Sequence, residues 1–194
     1  MPKIILASAS PRRSQLLKQV GADFEVVTSD VEENVDPKVP PSEVVQALAY
    51  AKASDVACRI NDRACIIIGA DTIVVYNHDI LGKPQHERHA YEMLRMLSGT
   101  KHEVFTGFAI IDKDTGKAIK QYQKTLVTFR HIEDKEIMAY IKTGEPMDKA
   151  GAYGIQEIGS LFIESIQGDY FTVVGLPMMK LYMTLKDEFG IHLL

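Results

Sequence analysis

Short apolar runs alternate with amphipathic stretches along this chain, and the alternation predicts a protein of mixed strands and helices. Residues 4–7 form a continuous apolar run, which is typical of a buried strand. Ser10 then occupies an N-cap position, Pro11 suits the first helical position, and Gly21 follows the last residue of the helical period. The chain is therefore predicted to begin with a strand, a turn and a helix.

The same pattern continues to the end of the chain. Further strands are predicted at 24–28, in two segments within 66–75, and at 104–111, 125–129, 161–163 and 171–174. Helices are predicted from a cap at Ser42, around 90–97, around 137–141, and after Pro177. Turn residues at 114–117 join two of the strands as a hairpin. Because hairpins occur among the helices, the expected fold class is α/β with a mixed sheet rather than a strictly parallel one.

Length and composition favour one compact domain over residues 1–194. The chain has 46% hydrophobic and 25% charged residues, with no repeat and no linker-like segment. Its net charge of -4 argues against broad binding to a nucleic-acid polymer, because such binding depends on basic surfaces. A polyanionic ligand must therefore find a local basic pocket.

The sequence predicts a cytoplasmic protein with no membrane partner. Arg12 and Arg13 interrupt the first apolar run before it reaches signal-peptide length, and no later run approaches a membrane span. Cys58 and Cys65 lie among apolar neighbours and lack the spacing of a redox or zinc motif, so we expect reduced, buried thiols. The oligomeric state is left open, and a homodimer is one assembly that the sequence allows.

Residues 7–15 join the first strand to the first helix and form a candidate phosphate site. Backbone N–H groups at a helix start attract anions, and Ser8, Arg12 and Arg13 add a hydroxyl and two guanidinium groups. The alternative is a capped helix with two solvated arginines.

Asp71 is unusual because it lies within an otherwise apolar strand. Burying its carboxylate requires a cation, a metal or several hydrogen-bond donors. The alternative is a structural aspartate that accepts backbone N–H groups. Lys83, within a Gly-Lys-Pro turn, is either a functional cation or a solvated lysine. Glu32 and Glu33 are either metal ligands or part of a charged loop.

Several sequence blocks, in this order, resemble the Maf-like nucleoside triphosphate pyrophosphatases, a family named for a septum-formation phenotype. They are Ala-Ser-Ala-Ser-Pro-Arg-Arg at 7–13, Gly-Ala-Asp-Thr at 69–72, Gly-Lys-Pro at 82–84, the glycine-rich segment 144–156, Gly-Asp-Tyr at 168–170 and Val-Gly-Leu-Pro at 174–177. The resemblance implies an elongated mixed sheet flanked by helices, with two lobes around a deep cleft. It also implies hydrolysis of nucleoside triphosphates to a monophosphate and pyrophosphate.

The resemblance also implies residue roles. Asp71 corresponds to the general base of the family. The positions that line the family's pocket are Ser8, Arg12, Arg13, Glu33, Lys52 and Lys83, and those assigned to substrate choice are Arg12, Thr72 and Gln156. The Asp-Thr pair at 71–72 and the Ile-Gln pair at 155–156 resemble the branch that prefers dTTP and UTP over the branch that acts on 7-methyl-GTP.

This chemistry suits the residue types. A triphosphate carries about four negative charges, so the basic side chains would clamp it and a divalent cation, Mg²⁺ or Mn²⁺, would bridge its oxygens. We assign Asp71 as the base and Glu33 to the metal, and the sequence leaves the reverse assignment open. The amide of Gln156 can pair with a pyrimidine edge, including that of a modified pyrimidine nucleotide. The competing hypotheses are a 7-methyl-GTP pyrophosphatase and a non-catalytic, nucleotide-binding regulator of septum formation.

Overall fold

The computed structural model describes residues 2–32, 38–62 and 64–193. Its strands are β1 (Lys3–Ala7), β2 (Phe24–Val26), β3 (Cys65–Tyr76), β4 (Asp79–Leu81), β5 (Lys101–Asp112), β6 (Ala118–Phe129) and β7 (Ile163–Gln167). Its helices are α1 (Pro11–Gln19), α2 (Pro41–Arg59), α3 (Glu87–Leu97), α4 (Asp134–Ile141), α5 (Tyr170–Val174) and α6 (Met178–Phe189). Among the residues described, no helix combines the length and apolar content that a bilayer crossing requires.

Within this described part of the chain, seven strands form a mixed sheet flanked by helices. The strand order is β2-β1-β3-β5-β6-β7, and β4 pairs with β3. β1 is parallel to both β2 and β3, whereas the pairs β3–β4 and β6–β7 are antiparallel. The predicted α/β class and the mixed sheet are therefore confirmed.

The chain divides into two compact units, and the first boundary along β3 falls between Asp71 and Thr72. Unit 1 comprises residues 1–71, 106–123 and 175–194, and its core includes Ile5 and Ile67 packed on α2. Unit 2 comprises residues 72–105 and 124–174, with a core around Leu94 and Phe129. The cleft that the family resemblance implies stays a prediction, as does the single domain over residues 1–194.

Two predicted boundaries and one predicted burial were wrong. Helix α2 does not start from a cap at Ser42; Pro40 is the N-cap and Pro41 the first helical residue, because proline's fixed φ suits the first turn. Residues 66–75 are not two segments but lie within the continuous strand β3, because the carboxylate of Asp71 in its middle is paired with a cation and need not interrupt the strand. Cys65 is buried as expected, whereas Cys58 is exposed near the end of α2.

The predictions for 161–163 and 171–174 also need correction. Only Ile163 of the first segment enters a strand, since residues 158–162 form a 3₁₀ turn. The second segment belongs to the short helix α5. The carboxylate of Asp169 accepts hydrogen bonds from the amide and the hydroxyl of Thr172, each at 2.7 Å, which caps a helical turn where apolar content alone favours a strand.

Candidate active site

The turn between β1 and α1 is built around the hydroxyl of Ser8. This side chain is 5% exposed, and its Oγ accepts a hydrogen bond of 3.2 Å from the amide of Ser10. Ser10 is the N-cap of α1 by position, but its own side chain makes no capping bond. The strand, turn and helix predicted from the sequence are confirmed, with Ser8 rather than Ser10 holding the turn.

Arg13 is a buried cation rather than a solvated one. Its Nη1 donates to Ser8 Oγ at 3.0 Å, and its Nε donates to the carbonyl oxygen of Gly175 at 2.8 Å. The residue is 9% exposed, whereas its neighbour Arg12 is half-buried. The two bonds come from different nitrogens of one rigid, planar group, so they set the orientation of the guanidinium plane.

Asp71 and Lys52 form a buried ion pair. Lys52 Nζ lies 2.6 Å from Asp71 Oδ1, and the two side chains are 13% and 7% exposed. Burial of the Asp71 carboxylate was expected to require a cation, a metal or hydrogen-bond donors, and in the structure a cation lies beside it. The ammonium group of Lys52 compensates a charge that would otherwise be costly to bury.

Gly69 explains how α2 brings Lys52 to this position. Gly69 and Asp71 are two residues apart on β3 and share one face of the strand. A Cβ atom at Gly69 would collide with the carbonyl oxygen of Ala49 and lie 2.9 Å from the amide nitrogen of Ala53, both on α2. The missing side chain therefore lets α2 pack directly on the strand, with Lys52 beside the carboxylate.

The parallel pairing of β1 with β3 places these groups close together just beyond the carboxyl end of β1. Ala7, the last residue of β1, pairs with Gly69. The turn that carries Ser8 and Arg13 follows Ala7, and Asp71 follows Gly69 along β3. Ligands of open α/β sheets bind at the carboxyl ends of parallel strands. Unit 1 thus combines, beyond the end of β1, a helix N-terminus, a buried guanidinium and a buried carboxylate.

Unit 2 contains three further predicted site residues. Thr72 is half-buried on β3, Lys83 is exposed after β4, and Gln156 is exposed in the loop after α4. The amide of Gly151 donates a 3.1 Å hydrogen bond to the carbonyl oxygen of Gly82. This bond connects the Gly-Lys-Pro turn directly to the loop that leads to Gln156.

That loop is organised by a buried lysine. Lys149 is 6% exposed, and its Nζ contacts the carbonyl oxygen of Glu145 at 2.7 Å, Asp148 Oδ1 at 2.8 Å and Glu157 Oε2 at 3.4 Å. The carboxylate of Glu145 accepts a 2.8 Å bond from the hydroxyl of Tyr140. Burial, together with this bond to Glu145, raises the pKa of Tyr140 above its ordinary value. The charged network stabilises the fold of the loop.

Sequence reasoning missed the roles of Gly175 and Lys149. Both lie in blocks that identified the family resemblance, but neither was assigned a contact. Gly175 acts through a backbone carbonyl, which no side-chain pattern reveals. The polar residues around Lys149 in the sequence are typical of a solvated lysine, and only the folded loop shows that it is buried.

The predicted metal ligand Glu33 lies outside the described residues. Within the residues that the structure does describe, no group of three or more His, Cys, Asp or Glu side chains is arranged to hold a metal ion. Asp71 is the buried carboxylate just beyond the end of β1, and its oxygens are ligands of the kind that Mg²⁺ and Mn²⁺ prefer. The donor chemistry therefore fits a divalent cation.

Comparison with known proteins shows the family of this chain. The family model "Maf-like protein" matches residues 3–188, and the chain belongs to this family. A dTTP/UTP pyrophosphatase of Alkaliphilus oremlandii is 54% identical over 100% of both chains. A dTTP/UTP pyrophosphatase of Bacillus cereus is 54% identical over 96% of this chain and 90% of the relative. The Ham1 protein of Staphylococcus aureus, a solved structure, is 14% identical with a TM-score of 0.44 over 66% of this chain and 71% of that one, a score that carries no functional argument.

Proposed function

We propose that this protein hydrolyses dTTP and UTP to the nucleoside monophosphate and pyrophosphate. The observation that carries the proposal is the buried Asp71–Lys52 pair, which lies with the Ser8–Arg13 turn just beyond the carboxyl end of β1. The names of relatives that are 54% identical over nearly the whole chain support the substrate class. Reduced cysteines, expected from their spacing, support a cytoplasmic location.

The phosphate chain would bind to cations and to the start of α1. Arg13 is already oriented by Ser8 and Gly175, so little side-chain entropy is lost when phosphate binds. Arg12 and Lys83 add further positive charge. Such groups stabilise the negative charge that builds on the leaving pyrophosphate.

Asp71 would act as the general base. It accepts a proton from the attacking water as the new bond from water oxygen to the α-phosphorus forms and the bond to the bridging oxygen breaks. Pyrophosphate leaves with the electrons of that bond. Lys52, at 2.6 Å, holds the carboxylate in place and compensates its charge before substrate arrives.

A divalent cation, Mg²⁺ or Mn²⁺, would be held by Glu33 together with phosphate oxygens of the substrate. Magnesium commonly binds through one or two carboxylates plus substrate phosphates. When bound, the ion supplies charge neutralisation to the phosphate oxygens. The carboxylate oxygens of Asp71 are hard donors of the type that the same ion prefers.

Selection of the substrate's nucleobase would rest on Gln156, with Thr72 and Arg12 assisting. A glutamine side chain can present an N–H donor and a carbonyl acceptor side by side, which match the O4 and N3–H groups of uracil and thymine. Cytosine reverses the pattern at its exocyclic position. A site that uses such a pair rejects CTP because buried polar groups are left without partners.

The proposal is tested by incubating pure protein with dTTP or UTP and Mg²⁺ and separating the products. We expect monophosphate and pyrophosphate in equal amounts. Asp71→Asn should lower kcat by about 10²- to 10⁴-fold, because the base loses its charge. Asp187→Asn, which changes an exposed carboxylate on α6, is the matched control. Release of inorganic phosphate instead of pyrophosphate, or normal turnover by folded Asp71→Asn protein, would contradict the proposal.

A further inference from the structure

His102, Phe129 and Tyr153 form an aromatic cluster in the core of unit 2 that the proposed chemistry does not use. The ring centroids lie 4.8 Å apart for His102 and Phe129, 5.3 Å for His102 and Tyr153, and 4.7 Å for Phe129 and Tyr153. All three pairs are edge-to-face, and each residue is at most 5% exposed. This packing restricts the three rings to one relative orientation.

A single polar contact within the cluster joins His102 to Tyr153. His102 Nε2 lies 2.7 Å from the Tyr153 hydroxyl oxygen, whereas His102 Nδ1 has no hydrogen-bond partner among the described residues. Burial lowers the pKa of His102 to about 4 and raises that of Tyr153, so both groups are neutral at neutral pH. A buried nitrogen without a partner destabilises the fold, so the imidazole is oriented by its other nitrogen, through the contact of Nε2 with the Tyr153 hydroxyl.

The backbone just before Tyr153 turns through the left-handed region, which is unfavourable for Ala152. Gly151 and Ala152 have φ angles of +68° and +61°, both in the left-handed region. Alanine rarely adopts this region because its Cβ crowds the backbone, and such a conformation persists only where surrounding contacts enforce it. The enforcing contacts are the Gly151–Gly82 bond on one side and the buried Tyr153 ring on the other.

The strained turn leads directly to the residues proposed to choose the substrate. Gln156 follows Tyr153 by three positions, and Gly82, bonded to Gly151, precedes Lys83. We propose that His102 is a positioning residue for nucleobase selection. His102 fixes Tyr153 and thereby the turn that presents Gln156. This inference rests on the proposed function, since base selection has meaning only for a nucleotide substrate.

Only Nε2 of the two His102 ring nitrogens contacts Tyr153, so two variants can be compared that keep or lose a polar group at that position. In His102→Gln, the terminal amide reaches the position of Nε2 and keeps a partner for the Tyr153 hydroxyl. In His102→Asn, the amide reaches only the position of Nδ1, so the contact to Tyr153 is lost. We expect the ratio of kcat/KM for UTP over CTP to fall by about tenfold in His102→Asn and to stay within about threefold of wild type in His102→Gln.

Tyr153→Phe removes the same contact while keeping the ring and should reproduce the lowered ratio of His102→Asn. Leu97→Ala truncates a fully buried side chain in the core of unit 2 and should lower Tm without changing the ratio. If the histidine variants fail to fold, Tyr153→Phe alone decides the question. An unchanged ratio in folded His102→Asn or Tyr153→Phe would overturn the inference.

The failure of the proposed function is a separate result. Wild-type protein that hydrolyses no nucleoside triphosphate would contradict the proposed function before any variant is compared. The positioning role is then tested by titration calorimetry with α,β-methylene-UTP and α,β-methylene-CTP. A preference for the uridine analogue that His102→Asn loses and His102→Gln keeps supports the inference, and any other pattern overturns it.

Discussion

Arg13 Nε donates a 2.8 Å hydrogen bond to the carbonyl oxygen of Gly175, and these two residues are 162 positions apart in the chain. Gly175 has a φ of +124°, a conformation that side-chain-bearing residues rarely adopt. The Val-Gly-Leu-Pro block near the end of the chain therefore orients a cation of the block near its start. Glycine can adopt this φ angle, and the conformation directs the carbonyl oxygen toward the guanidinium group of Arg13.

Gly175→Ala should strain this backbone and displace the carbonyl that holds Arg13. We expect kcat/KM for UTP to fall by about tenfold, mainly through KM, because a charge-assisted bond to the phosphate-binding cation is lost. In an Arg13→Ala background the same change should have no further effect on kcat/KM. Gly190→Ala, at φ +67° after α6, is the matched control and should lower only stability. Equal kinetic losses from Gly175→Ala and Gly190→Ala would contradict this prediction.

The Asp71–Lys52 pair should show strong coupling in a double-mutant cycle. Lys52→Met removes the ammonium group that lies 2.6 Å from this buried carboxylate, which we expect to cost about 3–5 kcal/mol in the free energy of unfolding. Adding Asp71→Asn removes the buried negative charge, so the double variant should regain most of that stability while remaining inactive. Arg88→Ala, which breaks an exposed pair with Glu92, should cost less than about 1 kcal/mol. Urea unfolding measures all of these values, and additive losses at Lys52 and Asp71 would rule out the coupling.

Stability should fall between pH 6.5 and pH 4 because of His102. Its pKa in the folded protein is about 4, below the ordinary value of 6.5, so the unfolded chain binds the proton first as pH falls. The groups that face its ring are Phe129 and the hydroxyl of Tyr153, neither of which carries charge in this range. From pH 7.5 to pH 5.0 this histidine should remove about 2 kcal/mol of unfolding free energy.

Urea unfolding of wild type and His102→Gln at both pH values isolates this effect. The variant should lose about 2 kcal/mol less than wild type over the interval, since it has no imidazole to titrate. Identical pH dependence in the two proteins would show that other groups control acid stability.

Gln156→Ala should reduce the preference of the protein for dTTP and UTP over other nucleotides. We expect wild type to hydrolyse dTTP and UTP faster than CTP, ATP, GTP and 7-methyl-GTP. The variant should lose activity mainly toward dTTP and UTP. The loss should be about 1–3 kcal/mol in transition-state stabilisation, the penalty for an unpaired polar group. Gln167→Ala, exposed on β7, is the matched control. A wild-type preference for 7-methyl-GTP, or an unchanged profile in Gln156→Ala, would defeat the assignment.

Local signals were sufficient for much of the fold. The apolar run of β1, the proline at the start of α1 and the turn at 114–117 act over a few residues, so pattern and turn chemistry predicted these elements. The same reasoning failed at α5, where the carboxylate of Asp169 caps a helical turn that an apolar, β-branched run disfavours.

The sequence by itself also identified Asp71, because a carboxylate within an apolar strand demands a partner whatever the fold. Only the tertiary structure decided that the partner is Lys52, which lies 19 positions away on a helix that packs on Gly69. The contacts of Arg13 with Gly175 and of His102 with Tyr153 depend likewise on distant segments meeting in space. Residue type and local periodicity determine which groups need a partner, whereas the packing of helices on the sheet determines which partner each group meets.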